Sequence, residues 1–138
     1  MSRPALLLLL AVLPLRAAGP MVIIVNPRSP VQTLTRREAA ELFMGTTRRF
    51  PTGQIAYPVE QVLPEEARRQ FYLRLTQLPL AAVRSHWART LFSGQGQPPR
   101  QAADALAMLE LVATHQNTVG FVEQTQVTDQ VRVVLVLE

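Results

Sequence analysis

The two histidines are the side chains best suited to acid–base or metal chemistry, yet neither has a suitable neighbour in the sequence. His86 and His115 lie far apart, and no Cys, Asp or second His stands at ligand spacing from either one. Ser85 and His86 are adjacent on a predicted helix, so their side chains point apart and cannot pair as nucleophile and base. The Gly-x-Ser-x-Gly, phosphate-loop and His-Glu-x-x-His motifs are absent. The residues therefore indicate neither an enzyme nor a bound metal or cofactor.

One loop carries residue types that suit an anion. Residues 26–30 follow an apolar run and place Arg28 and Ser29 shortly before a predicted helix. A guanidinium and a hydroxyl near the positive end of a helix dipole can hold a small oxyanion. The alternative is an ordinary loop, because the helix is already capped by Thr35 and Glu38.

A second loop, residues 60–64, leads into a predicted helix that begins near Pro64. Glu65 and Glu66 occupy its first turn, where carboxylates interact favourably with the helix dipole. They would repel an incoming oxyanion. Ligands of open parallel sheets lie in such strand-to-helix loops, so one of the two loops favours an anion and the other disfavours it.

Apolar runs and chain breakers predict strands that alternate with helices. Strands are predicted at 21–25, 54–59, 119–122 and 131–137. Helices are predicted to begin at Thr35, Pro64, Pro79, and Pro99 or Arg100. The last helix is expected to bury Ala102, Leu106, Leu109, and Val112 or Ala113. The order β-α-β-α-α-α-β-β predicts an α/β fold with a small, mostly parallel sheet flanked by helices.

The first helix has the clearest local signals. Thr35 and Glu38 form a capping box, and Gly45 stands where a left-handed cap is expected. The later helices are expected to bury Leu78 and Leu91 at the ends of their apolar stripes.

The N-terminus has the pattern of an export signal. Residues 1–4 include one basic residue, Arg3, and no acidic residue. The apolar run 5–13 comes next, and the small residues 17–19 follow it. The run is shorter than the roughly 20 residues that cross a bilayer. We therefore predict a secretory signal peptide at 1–19 and one domain at 20–138, with a retained N-terminal anchor as the alternative.

Charge and cysteine content exclude other classes. All 14 basic residues are arginine, and they are scattered among glutamates rather than clustered. A nucleic-acid-binding protein would have clustered positive charge or a recognisable motif, so none is predicted. The chain has no Cys, which excludes disulfides and Cys-ligated zinc.

A series of short motifs runs from about residue 22 to 134. In chain order they are Asn26-Pro27, Leu34-Thr35-x-x-Glu38-x-x-x-Leu42-Phe43-Met44-Gly45, Phe50-Pro51-x-Gly53, Tyr57-Pro58-Val59, Phe71-Tyr72, Trp87-x-Arg89-x-x-Phe92-x-Gly94-x-Gly96-x-Pro98-Pro99 and Val119-Gly120-Phe121-Val122. Their order and spacing resemble short relatives of phosphate ABC transporter substrate-binding proteins, in the type 2 periplasmic-binding superfamily. The resemblance implies one lobe of a bacterial, extracytoplasmic solute-binding domain, located in the periplasm or otherwise outside the cytoplasm.

The resemblance also implies where phosphate binds in the larger family. There, an Arg and a Gly-Ser-Gly-Thr turn at the start of the helix after the second strand hold the anion. This chain has Gln61 at the Arg position and Leu63-Pro64-Glu65-Glu66 in place of the turn. Pro64 has no amide hydrogen to donate. Among the family's ligand groups, a loop hydroxyl of Ser29 or Thr33 has a counterpart here.

Two functions follow as hypotheses. In the first, the domain weakly binds a small oxyanion such as phosphate, with Arg28, Ser29, Gln61 and Arg89 as hydrogen-bond donors. In the second, no ligand binds, and the domain is an accessory or interaction module of an envelope transport or sensing complex. Its contact surface would then include Trp87, Phe92 and the loop 94–99.

Overall fold

The structure is a computed structural model that describes residue 2 and residues 19–138. The predicted signal peptide lies almost entirely outside the described residues, so it stays a prediction. The elements from residue 21 onward are β1 (Met21–Val25), α1 (Arg36–Phe43), β2 (Tyr57–Gln61), α2 (Glu65–Thr76), α3 (Leu80–Phe92), β3 (Arg100–Ala102), α4 (Ala105–Thr114), β4 (Thr118–Glu123) and β5 (Arg132–Leu137). The predicted α/β class, with a sheet flanked by helices, is confirmed.

The five strands form one sheet in the order β3-β2-β4-β1-β5. β2 is parallel to β3 and to β4, whereas β1 is antiparallel to both of its neighbours, β4 and β5. The sheet is therefore mixed. Four strands share a direction, and β1 is inserted between two of them in the opposite direction.

The composition of β1 explains why its direction was not predicted. Val22 to Val25 are fully buried, and a strand covered on both faces is a continuous apolar run in either orientation. Its direction depends on the long-range pairing, in which Val25 lies beside Val119 of β4 and beside Arg132 of β5.

Two layers of helices cover the sheet. Ile23 and Val25 face the larger core, to which α1, α2 and α3 contribute. Val22 and Ile24 point to the opposite face and pack with Met108 of α4. This alternation is the period of two expected for a strand with two buried faces.

The last helix begins later than predicted. Residues 100–102 form the short edge strand β3, which pairs with β2, and α4 begins at Ala105 because Asp104 caps it by accepting from the backbone N–H of Ala107 at 2.8 Å. Ala102 is buried in β3, and Leu106 is 74% exposed. The shift changes the buried face of α4, which carries Met108 and Val112.

The predicted features at the two ends of α1 are confirmed. Thr35 and Glu38 form both hydrogen bonds of the capping box. Gly45 has a φ of +71°, and a Cβ built there would lie 2.9 Å from the Trp87 ring. Gly45 therefore permits both the left-handed turn and the close packing of Trp87. Leu78 and Leu91 are exposed rather than buried, since Leu78 lies in the turn between α2 and α3 and Leu91 lies in the last turn of α3.

Candidate functional site

A buried carboxylate lies near the C-terminal end of β2. Glu60 is 4% exposed. Nε of Arg68 donates to its Oε1 at 2.5 Å, and the hydroxyl of Tyr72 donates to its Oε2 at 2.9 Å. The Arg68 guanidinium also lies 5.5 Å from the centroid of the Tyr72 ring. Because Arg68 and Tyr72 are one turn apart on α2, this helix supplies both partners. The carboxylate is thus neutralised from within the domain.

Tyr72 should make stability depend on pH in the alkaline range. Burial, and then the neighbouring Glu60 carboxylate, raise the pKa of Tyr72 above its usual value. The phenol of the unfolded chain ionises near pH 10, whereas the buried phenol of the folded chain stays neutral. The free energy of unfolding therefore keeps its full value below about pH 10 and falls above it, by up to about 1.4 kcal/mol per pH unit. Urea unfolding measured from about pH 9 to 11.5 should show this slope. Tyr72→Phe should remove most of the slope, and an unchanged slope in that variant would show the prediction to be wrong.

The segment after Glu60 is poorly suited to bind an anion. Gln61 is buried, and its Oε1 has no hydrogen-bond partner among the described residues. Pro64 is the N-cap of α2 and provides no side-chain cap. Glu65 pairs with Arg84 at 3.1 Å, and hydrogen bonds from Arg69 lower the pKa of Glu66, which keeps that carboxyl ionised. The three carboxylates at the β2 exit are therefore each paired with an arginine of the same chain, which leaves no uncompensated positive charge there, within residues 19–138, for an anion.

The loop 26–30 is held by bonds within the protein. The Asn26 side chain donates to the backbone oxygens of Val112 and Ala113, at 2.9 and 3.0 Å, and so ties the loop to the C-terminal end of α4. The hydroxyl of Ser29 is buried and accepts from a backbone N–H two residues later. The Arg132 guanidinium donates to three carbonyls of the segment 27–31. Arg28 itself is exposed. The loop is thus anchored by its own polar groups.

The structure does not bring the four predicted ligand residues together. Val25 lies beside Val119, which lies beside Pro58 at the start of β2. Gln61 is three residues further along β2, or about 10 Å along the strand, towards the opposite end of the sheet. The loops after β1 and β2 open at opposite ends because the two strands run in opposite directions.

Arg89 adds no donor to either loop. It is exposed in the last turn of α3, the helix that packs on the α1 and α2 side of the sheet. The loop with Arg28 is tied to α4, on the other side. The four residues therefore do not form a single anion site in this structure.

A long groove lies at the end of the sheet where β2 begins. It joins two cavities, of about 830 and 940 Å³, which share Tyr57, Pro58, Gln97 and Pro99. The first cavity reaches Trp87 of α3 and the turn that follows α1, and the second reaches the C-terminal end of α4. We name this joined surface the Trp87 groove. It runs from one helical layer across the sheet end to the other.

The Trp87 groove is positively charged and partly apolar. Arg48 and Arg49 line the first cavity and Arg100 the second, whereas no Asp or Glu is among the lining residues of either. Tyr57, which lies between the cavities, is 60% exposed. The sequence placed Arg48 and Arg49 in a polar turn without a role. The signal that could have singled them out is two adjacent arginines with no acidic residue nearby.

Solved structures share this arrangement of strands and helices. An ABC-type phosphate transport receptor from Vibrio cholerae superposes with a TM-score of 0.64 at 18% identity, over 83% of this chain and 45% of the receptor. The chain has the fold of one lobe of a phosphate-binding receptor. A Clostridium perfringens protein described as a phosphate ABC transporter substrate-binding protein with bound phosphate has a TM-score of 0.63 at 15% identity, over 83% of this chain and 44% of that protein.

PstS from Borrelia burgdorferi is also similar, with a TM-score of 0.58 at 8% identity. The chain spans less than half the length of each of these three proteins. No protein-family profile matches the chain, and no curated protein matches it in sequence. The likeness therefore lies in the fold.

Neither a membrane span nor a metal cluster is found in the part of the chain that the structure describes. Its helices are too short or too polar to cross a bilayer. No three His, Cys, Asp or Glu side chains in residue 2 or residues 19–138 are grouped to hold a metal ion.

Proposed function

We propose that this chain is a single solute-binding-type lobe that acts outside the cytoplasm through contacts with a protein of an envelope transport or sensing complex. The role involves no chemical step. The fold shared with phosphate transport receptors supports a place in such a complex. The charged start and short apolar run of residues 1–19 support export through a signal peptide.

The pairing of each arginine at the β2 exit with a carboxylate of the same chain is the observation that carries this proposal. The Glu60 carboxylate already compensates the charge of the Arg68 guanidinium, which would otherwise be available to an oxyanion. Glu65 and Glu66 add carboxylates in the first turn of α2, and Pro64 contributes no N–H. A free phosphate at this position would meet no uncompensated positive charge among the described residues and few donors, so protein contact is favoured over phosphate capture.

Weak binding of a small oxyanion is the second candidate function. The fold favours it, since one protein with this lobe is described with bound phosphate. Arg28, Ser29, Gln61 and Arg89 remain its proposed donors. Because the strands separate these residues in the structure, this function would require a different arrangement or a second protein surface.

Phosphate should not stabilise the full chain. An oxyanion bound with a dissociation constant near 1 mM would add about 1.4 kcal/mol at about 10 mM, which raises Tm by about 3 to 6 °C in a domain of this size. We expect phosphate and sulfate to change Tm by less than about 1 °C relative to chloride at equal, low ionic strength, because no convergent donor set is formed. Differential scanning fluorimetry measures this difference directly.

The variants Arg28→Ala and Ser29→Ala provide the control. In both variants, phosphate should change Tm as little as it does in the unmodified chain. A rise of about 3 °C or more with phosphate, lost in either variant, would contradict the interaction role and support the oxyanion function.

A further inference from the structure

We propose that the Trp87 groove binds an acidic, extended segment of a partner protein that also carries hydrophobic side chains. This inference rests on the interaction role proposed above and names the surface and the partner chemistry. The groove lies at the opposite end of β2 from Glu60 and the start of α2, so it is separate from the loop after β2, one of the two loops considered for an anion.

The charge of the groove supports an acidic partner. Arg48 donates one N–H to the backbone oxygen of Gln95 at 2.9 Å, and Arg49 donates one to that of Gly53 at 3.0 Å. Within residues 19–138 neither guanidinium lies within 4.0 Å of a carboxylate, although four other arginines do. A guanidinium has five N–H donors in a planar fork. Both therefore retain donors for carboxylates from another chain.

The apolar content of the groove supports hydrophobic side chains in the same segment. Ile55 and Leu91 line the first cavity and are exposed, and Phe92, next to Leu91, is 96% exposed. Large apolar residues clustered at a concave surface with charged neighbours mark protein-binding sites. Leu91 was expected to be buried on the basis of its helical spacing. Its exposure therefore depends on the tertiary structure and not on the local sequence pattern.

Trp87 provides a donor that lacks an acceptor. Its side chain lines the first cavity, and its indole N–H is buried without a hydrogen-bond partner among the described residues. A buried N–H without an acceptor costs free energy, so the indole is an unsatisfied polar group in the wall of the groove.

Trp87 also makes the proposal directly measurable, because it is the single tryptophan of the chain. The probe is a synthetic octapeptide of Asp and Glu with one Leu and one Phe, titrated into the full chain at low salt while Trp emission is recorded. We expect saturable binding that weakens as salt is added. A peptide with Asn and Gln in place of the acids should bind at least about tenfold more weakly.

A charge-matched pair of variants tests the site. The double variant Arg48→Gln with Arg49→Gln should weaken binding at least about tenfold. Arg37→Gln with Arg74→Gln removes the same charge from two positions that do not line the groove and should change the affinity less than about twofold. Equal weakening in both, or no Trp response, would overturn the groove as the binding surface. Tighter binding of a single-stranded oligonucleotide of the same charge would overturn the choice of partner.

The experiments distinguish an error in the groove proposal from an error in the proposed interaction role. Absence of peptide binding, together with a flat Tm in phosphate, overturns the groove and leaves the role itself in place. A phosphate-dependent rise in Tm overturns the role on which the groove proposal rests.

Discussion

Replacing Arg68 with methionine is expected to lower the free energy of unfolding by about 3 kcal/mol or somewhat more, within the range of about 3 to 5 kcal/mol for breaking a buried ion pair. The change leaves the Glu60 carboxylate buried with Tyr72 as its remaining partner. We place the loss near the lower end of the range because the Arg68 side chain is 26% exposed. Urea unfolding followed by circular dichroism gives the difference.

The neighbouring ion pair offers a matched control. Arg69 follows Arg68 on α2 and pairs with Glu66, but both side chains are exposed. Arg69→Met should therefore leave the urea midpoint unchanged, because exposed pairs contribute little. The double variant Glu60→Gln with Arg68→Met should recover at least half of the loss, since no buried charge remains. Equal losses in Arg68→Met and Arg69→Met would show that burial of Glu60 is not the cause.

Replacing Phe121 with alanine is expected to lower the free energy of unfolding by about 3 to 5 kcal/mol. Phe121 is fully buried in β4, and its ring stacks on Phe71 of α2 with centroids 3.7 Å apart. Phe43 of α1 packs edge-on against both rings, with centroids 5.9 Å away. The substitution leaves a cavity where the sheet meets two helices, and the surrounding rings can fill it only in part. Thermal and urea unfolding measure the loss.

Phe92 is the control of the same residue type. Because its side chain is almost fully exposed, Phe92→Ala should change stability by less than about 0.5 kcal/mol. If Phe121→Ala fails to fold, Phe121→Leu should still give a folded protein with a loss of about 1.5 kcal/mol or less. Similar losses for Phe92→Ala and Phe121→Ala would contradict the assignment of Phe121 to the core.

The burial of residues in the helical stripes shows how well sequence patterns assign residues to the core. Phe43 and Phe71 belong to apolar stripes with helical spacing, and both are buried. Leu91 and Leu106 fitted such stripes equally well, yet both are exposed. Periodicity identifies the apolar face of a helix, but it does not tell how far along that face the sheet extends.

The candidate site was less predictable than the fold. Arg28 and Gln61 were grouped because each follows a predicted strand, and strand ends share one edge when all strands are parallel. The antiparallel direction of β1 places their loops at opposite ends of the sheet. Arg48 and Arg100 lie far apart in the sequence and both line the Trp87 groove, a relation that no local pattern could indicate.

The local features of the fold could be derived from the sequence. The capping box of α1, the left-handed Gly45 and the buried strand β1 depend on residues within a few positions of one another, so they can be predicted from local chemistry. Long-range packing sets the direction of β1, the edge strand β3, the pairing of Glu60 with Arg68 and the Trp87 groove. Each of these depends on which distant segments pack together, and that is set by the total burial and hydrogen bonding of the folded chain rather than by any one segment.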